Sequence, residues 1–466
     1  MSKWKSTKLD DIAVVMLSNV DKKTTDGERI VKLCNYTDVY KNSYISFDKT
    51  ESFMIASCNE NEFNKFELKR DQVAITKDSE KRDDIGISTY IAEDLENVVL
   101  GYHTALITPI ENKLSGKFLN YWLNTKLAKE YFENNAGGSG QRCTLPIDII
   151  RAIPIVLPKY DEQLHISSIL FNLDTKIELN KRINVELEQM AKTIYDYWFV
   201  QFDFPMSAEY AASVGQPELE GKPYKASGGK MMWSDELKRE LPEGWEPGTF
   251  NSYCPSTGGF AFKSEWWTDK GVAVAKIKDI QEDYRLETSD LARVDISDKN
   301  IDEKFKSKPG DILIAMTGAT VGKYAIVPIT DYPIYVNQRV GYFNLGNNPC
   351  KNLPFLINSM NQSYFRNAIF TLANGAAQPN ISNDQINNIP LLIPKAELIS
   401  EFNRMFESYY KKILINQSEN QKLTELRDWL LPMLMNGQVR VGDDGDEEIV
   451  MGMAAEPLGE YKVRGK

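Results

Sequence analysis

The chain has 466 residues, 42% of them hydrophobic and 26% charged, with a formal net charge of −11 at pH 7. That length can bury several cores, and that composition belongs to folded globular chains rather than fibrous or low-complexity ones. No apolar run is long enough to span a bilayer, and the opening MSKWKSTKLDD lacks the apolar stretch of a secretory signal, so the sequence predicts a cytoplasmic protein with no membrane partner.

From the N-terminus, residues 1–158 predict a globular domain. Short β-branched and aromatic runs broken by Gly, Asn and Asp come first, and they include the basic stretch KFELKRDQVAITKDSEKR (65–82). By itself that stretch fits a solvated charged face as well as a phosphate-facing one. A helical segment is predicted at 117–135, then a turn, then the strand AIPIVLPK (152–159).

Residues 159–200 predict a long helix. Ile166, Leu170, Leu173, Ile177, Asn180, Asn184, Leu187, Met190, Ile194 and Trp198 step by threes and fours along it, as in a coiled-coil seam. Residues 201–240, rich in Gly, Pro, Ser and charge, read as a linker with room for a short helix at 234–240. A second globular domain follows at 241–394, with the strand-rich stretch DILIAMTGATVGKYAIV (311–327), a helical segment at 353–374 and the strand NIPLLIPK (388–395). A second long helix is predicted at 395–436, with Phe402, Phe406, Tyr409, Ile413, Asn416, Asn420, Leu423, Leu426, Leu430 and Leu434 in its seam. Pro432 should terminate or kink its last turns. The tail 437–466 contains DDGDEE (443–448) and reads as solvated and acidic.

The two I-P strands belong to a tandem duplication. Pro154 and Pro390 lie 236 positions apart, and the same offset pairs Ile177 with Ile413, Asn180 with Asn416, Asn184 with Asn420 and Leu187 with Leu423. Near the start of each copy the offset is 241, as between Trp4 and Trp245, so only the loops have changed length. Amides in an apolar seam cost stability unless they meet polar partners, and Asn180, Asn184, Asn416 and Asn420 have one another. If the two helices run antiparallel about a pseudo-twofold axis they make one rigid rod about 60 Å long; the alternative is two helices each packed into a separate domain. The fold expected is α+β: two β-rich domains in tandem repeat, separated by a pair of long antiparallel coiled-coil helices.

Chemistry is sparse. The two histidines, His103 and His165, have no metal-ligand spacing, and the five cysteines have no C-x-x-C pair, which predicts reduced thiols and no metal site. The stretch GATVGKY (318–324) has three residues between its glycines and a tyrosine after its lysine, where a phosphate loop needs four and a serine or threonine. There is no G-x-S-x-G and no Pro-Pro. A recognition protein without catalytic residues is the expectation.

A globular domain followed by an I-P strand and a long helix, the whole repeated once around GKPYKASGGKMMWSDELKRELPEGW (221–245), resembles the specificity (S) subunit of type I restriction-modification systems. The likeness covers nearly the whole chain and includes TGATVGK of the second copy. The first copy departs there, with ITKDSEKRDDIG (75–86) lacking the glycine pattern, and the acidic tail lies outside the repeat. The resemblance implies two target recognition domains, each reading one half of a bipartite asymmetric site in double-stranded DNA. It implies two methyltransferase (M) subunits using S-adenosylmethionine and motor nuclease (R) subunits using ATP and magnesium, with no cofactor in this chain.

Loop residues suited to bases and phosphates are then the candidate DNA contacts. In the second copy these are Thr317, Thr320, Lys323, Gln338, Arg339, Gln378 and Asn380; in the first, Lys77, Ser79, Lys81, Arg82, Gln141 and Arg142. Lys176, Glu178 and Lys412 mark helix faces for docking methyltransferase subunits. The rival reading is a scaffold with two peptide- or glycan-binding domains on a coiled-coil spacer, which needs no basic loops.

Overall fold

The structure is a computed structural model that describes residues 4–138, 142–235, 238–281, 284–299, 301–373 and 379–439. Gln141, Gln378 and the acidic run 443–448 lie outside the described residues. The chain divides into two compact units, Met1–Ile177 with Lys422–Lys466, and Glu178–Gln421. Both mix strands and helices.

In the first unit Lys5–Lys8 pairs antiparallel with Pro154–Leu157, the first I-P strand. A five-stranded sheet runs in the order Ala13–Leu17, Thr104–Pro109, Val73–Thr76, Ser88–Ile91, Tyr44–Ile45. Val73–Thr76 and Ser88–Ile91 are buried along their whole length, which is why they show no apolar-polar alternation. A second sheet joins Met54–Cys58, Arg29–Cys34 and Val98–Leu100, the last two parallel. The segment expected as one helix is two, Gly116–Leu123 and Lys126–Asn135, the second capped by the Thr125 hydroxyl accepting from Ala128 N–H. Gly116 sits where an added Cβ would collide with the Asp71 carbonyl oxygen, so that helix can meet the sheet only with glycine at its start. Phe118, Leu119, Trp122 and Phe132 from these helices share a core with Val73, Ile75 and Ile107 from the sheet.

The second unit repeats the plan. Glu246–Thr249 pairs antiparallel with Pro390–Ile393, and its first rung, Glu246↔Ile393, matches Lys5↔Leu157 in the first unit. The two sequence offsets, 241 and 236, therefore meet in one ladder. A four-stranded sheet runs Ser256–Gly258, Val340–Phe343, Ile312–Ala315, Tyr324–Ile326. A five-stranded sheet runs Trp267–Thr268, Ala292–Val294, Val272–Ala275, Ile334–Val336, Lys306–Ser307, with Val272–Ala275 and Ile334–Val336 parallel.

Two long helices, Tyr160–Tyr195 and Ala396–Met435, contribute to both units. Within the first unit Leu173 and Ile177 pack on Leu423. Within the second, Ala191 and Tyr195, with Trp198 in the helical turn Asp196–Val200 that follows, share a core with Phe402 and Phe406. In both, later residues of one helix meet earlier residues of the other, so the pairing is antiparallel. The seam differs from the expected one at one step per helix. Met190 and Leu426, matched positions of the repeat, are 53% and 40% exposed. Ala191, fully buried, takes the seam position instead, which keeps the strict alternation of three and four through Leu187, Ala191, Ile194 and Trp198. Pro432 sits in the last turn, and the helix ends three residues beyond it.

The segment expected as a linker is packed. Phe204 stacks between Tyr224 and Trp245, with ring centroids 4.6 and 5.2 Å away, and Phe202 meets Trp245 edge-on at 5.3 Å. The short helix expected at 234–240 has strand in its place among the described residues, at Ser234 and from Arg239 onward. Met231–Ser234 and Arg239–Pro242 pair there antiparallel, with Met232 opposite Leu241 and Trp233 opposite Glu240. A short helix lies earlier, at Ala208–Ser213. All five cysteines are free and buried, and burial pushes the Cys58 thiol up to about 11 and the Cys254 thiol up to about 12.

Candidate nucleic-acid interface

In the second unit, Ile312–Ala315 and Val340–Phe343 are antiparallel neighbours, so the end of one lies beside the start of the other. Met316 N–H donates to the Arg339 carbonyl at 3.2 Å, and Ile381 N–H to the Met316 carbonyl at 2.9 Å. Thr317 bridges Asn380, and Gly318 N–H donates to the Pro379 carbonyl at 2.9 Å. Three segments distant in sequence thus converge on one sheet end, bringing together Thr317, Thr320, Lys323, Gln338, Arg339 and Asn380. Gln338, Arg339 and Asn380 are exposed, while Thr317, Thr320 and Lys323 are half-buried. The glycines of TGATVGK make a tight return between strands: Gly318 and Gly322 have φ of +79° and +83°, and Lys323 N–H donates to the Thr320 carbonyl.

A fourth segment joins this edge. Gln338 N–H donates to the Phe260 carbonyl at 3.0 Å. Phe260 stacks on Trp266 at 6.0 Å, Phe262 meets Trp267 at 5.9 Å, and lysines cover both indoles. Lys276 Nζ lies 3.5 Å from the Trp267 ring centroid; Lys263 and Lys299 lie 5.9 and 5.7 Å from that of Trp266. Burial, then neighbouring Lys278, lowers the Lys276 pKa. Sequence reasoning passed over this patch, although FAFKSEWW (260–267) interleaves lysine with aromatics, a pattern suited to phosphates and bases.

The first unit places its candidates by the same geometry with other chemistry. Lys77 N–H donates to the His103 carbonyl at 3.0 Å, Leu145 N–H to the Lys77 carbonyl at 2.7 Å, and Asp78–Ser79 pairs with Cys143–Thr144. Lys77, Ser79, Arg142 and the Tyr102-His103 turn therefore share one sheet end. Lys81, Arg82 and Arg142 are exposed. Ser79 is buried, its hydroxyl accepting from Lys81 N–H at 3.2 Å, so it shapes the loop rather than facing outward. The centre is Asp78, which sequence reasoning did not single out. It accepts from Thr144 Oγ1 at 2.5 Å, meets His103 Nδ1 at 2.5 Å and has Lys77 Nζ at 3.2 Å. Burial pushes its pKa up, but Thr144, His103 and Lys77 outweigh that and leave it lowered.

The seam asparagines meet across the helix pair within the second unit. Asn180 Nδ2 donates to Asn420 Oδ1 at 2.9 Å and to Glu419 Oε2 at 2.7 Å. Asn416 Nδ2 donates to Asn184 Oδ1 at 2.8 Å. Each asparagine meets the repeat equivalent of the other, as an antiparallel pair requires. In the first unit the pairing is ionic: Arg427 Nη1 lies 2.8 Å from Asp174 Oδ1, and Tyr121 Oη donates to Asp174 Oδ2 at 2.5 Å. Burial, then the charge of Asp174, raises the Tyr121 pKa. Lys412 is exposed and Lys176 and Glu178 are half-exposed on these helices.

Among the described residues, no three His, Cys, Asp or Glu side chains gather as a metal site would need, and no helix is long and apolar enough to cross a membrane. Residues 1–189 and 242–425 match the family model described as the type I restriction modification DNA specificity domain. The chain belongs to this family. Its relatives among such specificity subunits include that of the type I restriction enzyme HindI from Haemophilus influenzae, 27% identical over 78% of this chain and 85% of the relative. That of MjaIX from Methanocaldococcus jannaschii is 24% identical over 70% and 69%. The crystal structure of a type I restriction-modification S subunit from M. genitalium shares the fold, with a TM-score of 0.55 at 15% identity over 93% of this chain and 96% of that one. The two specificity-domain matches leave out residues 190–241, where the first long helix ends and the packed aromatic segment follows.

Proposed function

We propose that this chain is the DNA sequence-recognition subunit of a type I restriction-modification complex. Each unit reads one half of a bipartite, asymmetric target in double-stranded DNA, and the two long helices set the spacing between half-sites. The observation that carries this reading is the duplicated sheet end: the same strands deliver three segments to one edge in each unit. Those segments then offer unlike side chains, Asp78, His103 and Arg142 in one and Gln338, Arg339 and Asn380 in the other. One frame with two chemistries suits two different half-sites.

The chain itself contributes no catalysis. Two methyltransferase subunits carrying S-adenosylmethionine, and motor nuclease subunits using ATP and magnesium, supply it in the cytoplasm. Matched apolar residues left exposed on the helices support docking there: Leu179 and Ile415 are 43% and 51% exposed at equivalent positions of the repeat. The test is genome methylation mapping with the chain expressed beside its methyltransferase. It should return one bipartite motif, and deleting one heptad from each long helix should change only the spacer. A spacer unchanged by the deletions would overturn the role of the helices, and methylation independent of the chain would overturn the recognition role.

A further inference from the structure

We propose that in the first unit Asp78 and His103 position Arg142 to read a guanine in the first half-site; this rests on the DNA-recognition reading above. Arginine carries only donors, so the 3.3 Å contact between Arg142 Nη2 and His103 Nε2 makes Nε2 the acceptor. The ring proton is then on Nδ1, where it donates to Asp78 Oδ2 at 2.5 Å. Each contact requires the tautomer that the other requires. The carboxylate is itself fixed, with its other oxygen accepting from Thr144 Oγ1 at 2.5 Å.

The backbone supports the same assignment. His103 has φ of +70°, a conformation a non-glycine residue keeps only where its surroundings hold it. Its carbonyl accepts from Lys77 N–H, and the Tyr102 ring lies against the imidazole at 3.9 Å between centroids. One segment thus anchors the carboxylate, a second carries the histidine and a third the arginine. Among the described residues this exposed guanidinium is held through one nitrogen, Nη2, and its other N–H groups can be offered to a guanine O6 and N7. The matching stretch of the second copy, Thr317-Gly318-Ala319, has no carboxylate, so the relay belongs to the first half-site alone.

The experiment uses the full chain in complex with its methyltransferase subunits and a DNA panel in which each base pair of both half-sites is replaced in turn. Arg142→Ala should flatten the preference at one guanine-containing pair of the first half-site by about tenfold or more, leaving the second half-site unchanged. Arg142→Lys, which keeps the charge but not the planar fork, should do the same. His103→Ala should relax the same base pair, and the double variant should be no worse than Arg142→Ala. Equal weakening at every sequence by Arg142→Ala, with Arg142→Lys restoring it, would make Arg142 a phosphate contact and overturn the proposal. Relaxation by His103→Ala at another base pair, or a lower melting temperature with the preference intact, would overturn the relay. A wild-type complex that discriminates no bipartite site would instead refute the recognition function.

Discussion

Replacing Asp174 tests how the helix pair is held in the first unit. Its side chain is 6% exposed and bonds both Arg427, 28% exposed, and Tyr121. Asp174→Ala removes the acceptor of the Tyr121 phenol and leaves the guanidinium with Asp428, which is 59% exposed. Loss of one partner of a buried pair costs about 3–5 kcal/mol, and the partial exposure of Arg427 brings the expectation to about 2–3 kcal/mol. The repeat supplies its own control: the positions equivalent to Asp174 and Arg427 are Tyr410 and Ala191, both buried in the second unit, where Tyr410 Oη accepts from Asn358 Nδ2 at 3.0 Å. The triple change Asp174→Tyr, Arg427→Ala and Tyr121→Asn imports that packing and should recover most of the loss. Thermal melting of the full chain in complex should show Asp174→Ala lowered by about 5–10 °C and the triple variant within about 3 °C of wild type. A single variant that melts like wild type, or a triple variant as unstable as the single, would refute the reasoning.

Three further outcomes follow from the geometry. Changing Asn184 and Asn416 together to Leu should raise stability by about 1 kcal/mol while loosening register, read by methylation mapping as more than one tolerated spacer length. Substituting Lys263, Lys276 and Lys299 one at a time by Ala should weaken DNA binding for all sequences alike and reduce the slope of log affinity against log salt by about 0.9 for each phosphate left without its lysine. Because the folded pKa of Asp78 is depressed, its contribution is complete above the unfolded value of about 3.9 and is lost as pH falls through the folded one. The melting difference between wild type and Asp78→Asn should therefore be largest near neutrality and shrink below about pH 4; a constant difference would count against a stabilising role for the Asp78 carboxylate.

Local periodicity makes the helices and both I-P strands readable from sequence, and the matched asparagines point to the two helices as partners, while their antiparallel sense rests on which residues meet in the fold. The seam slipped at Met190 because hydrophobicity ranks Met above Ala, whereas a close helix crossing prefers the smaller Ala191. The segment after the first helix looked like a linker because its pins, Phe202, Phe204, Tyr224 and Trp245, are spread over some forty positions among Gly, Pro and Ser. The Asp78 cluster was illegible for a related reason. Its partners stand 25 and 66 residues away, and only the strand order of the sheet brings them together. Composition flagged the basic loops but could not tell Ser79, turned inward, from Arg142, turned outward.

The ladder that joins Lys5–Lys8 to Pro154–Leu157, and its twin at Glu246–Thr249 and Pro390–Ile393, has a consequence for inheritance. Everything peculiar to one half-site enters and leaves through a single two-stranded seal of common register. Recombination between genes at the codons for these strands would trade a whole reading head while leaving the helices untouched. Such a cassette arrives with its own loops already braced, so new specificities can come from exchange as readily as from point mutation.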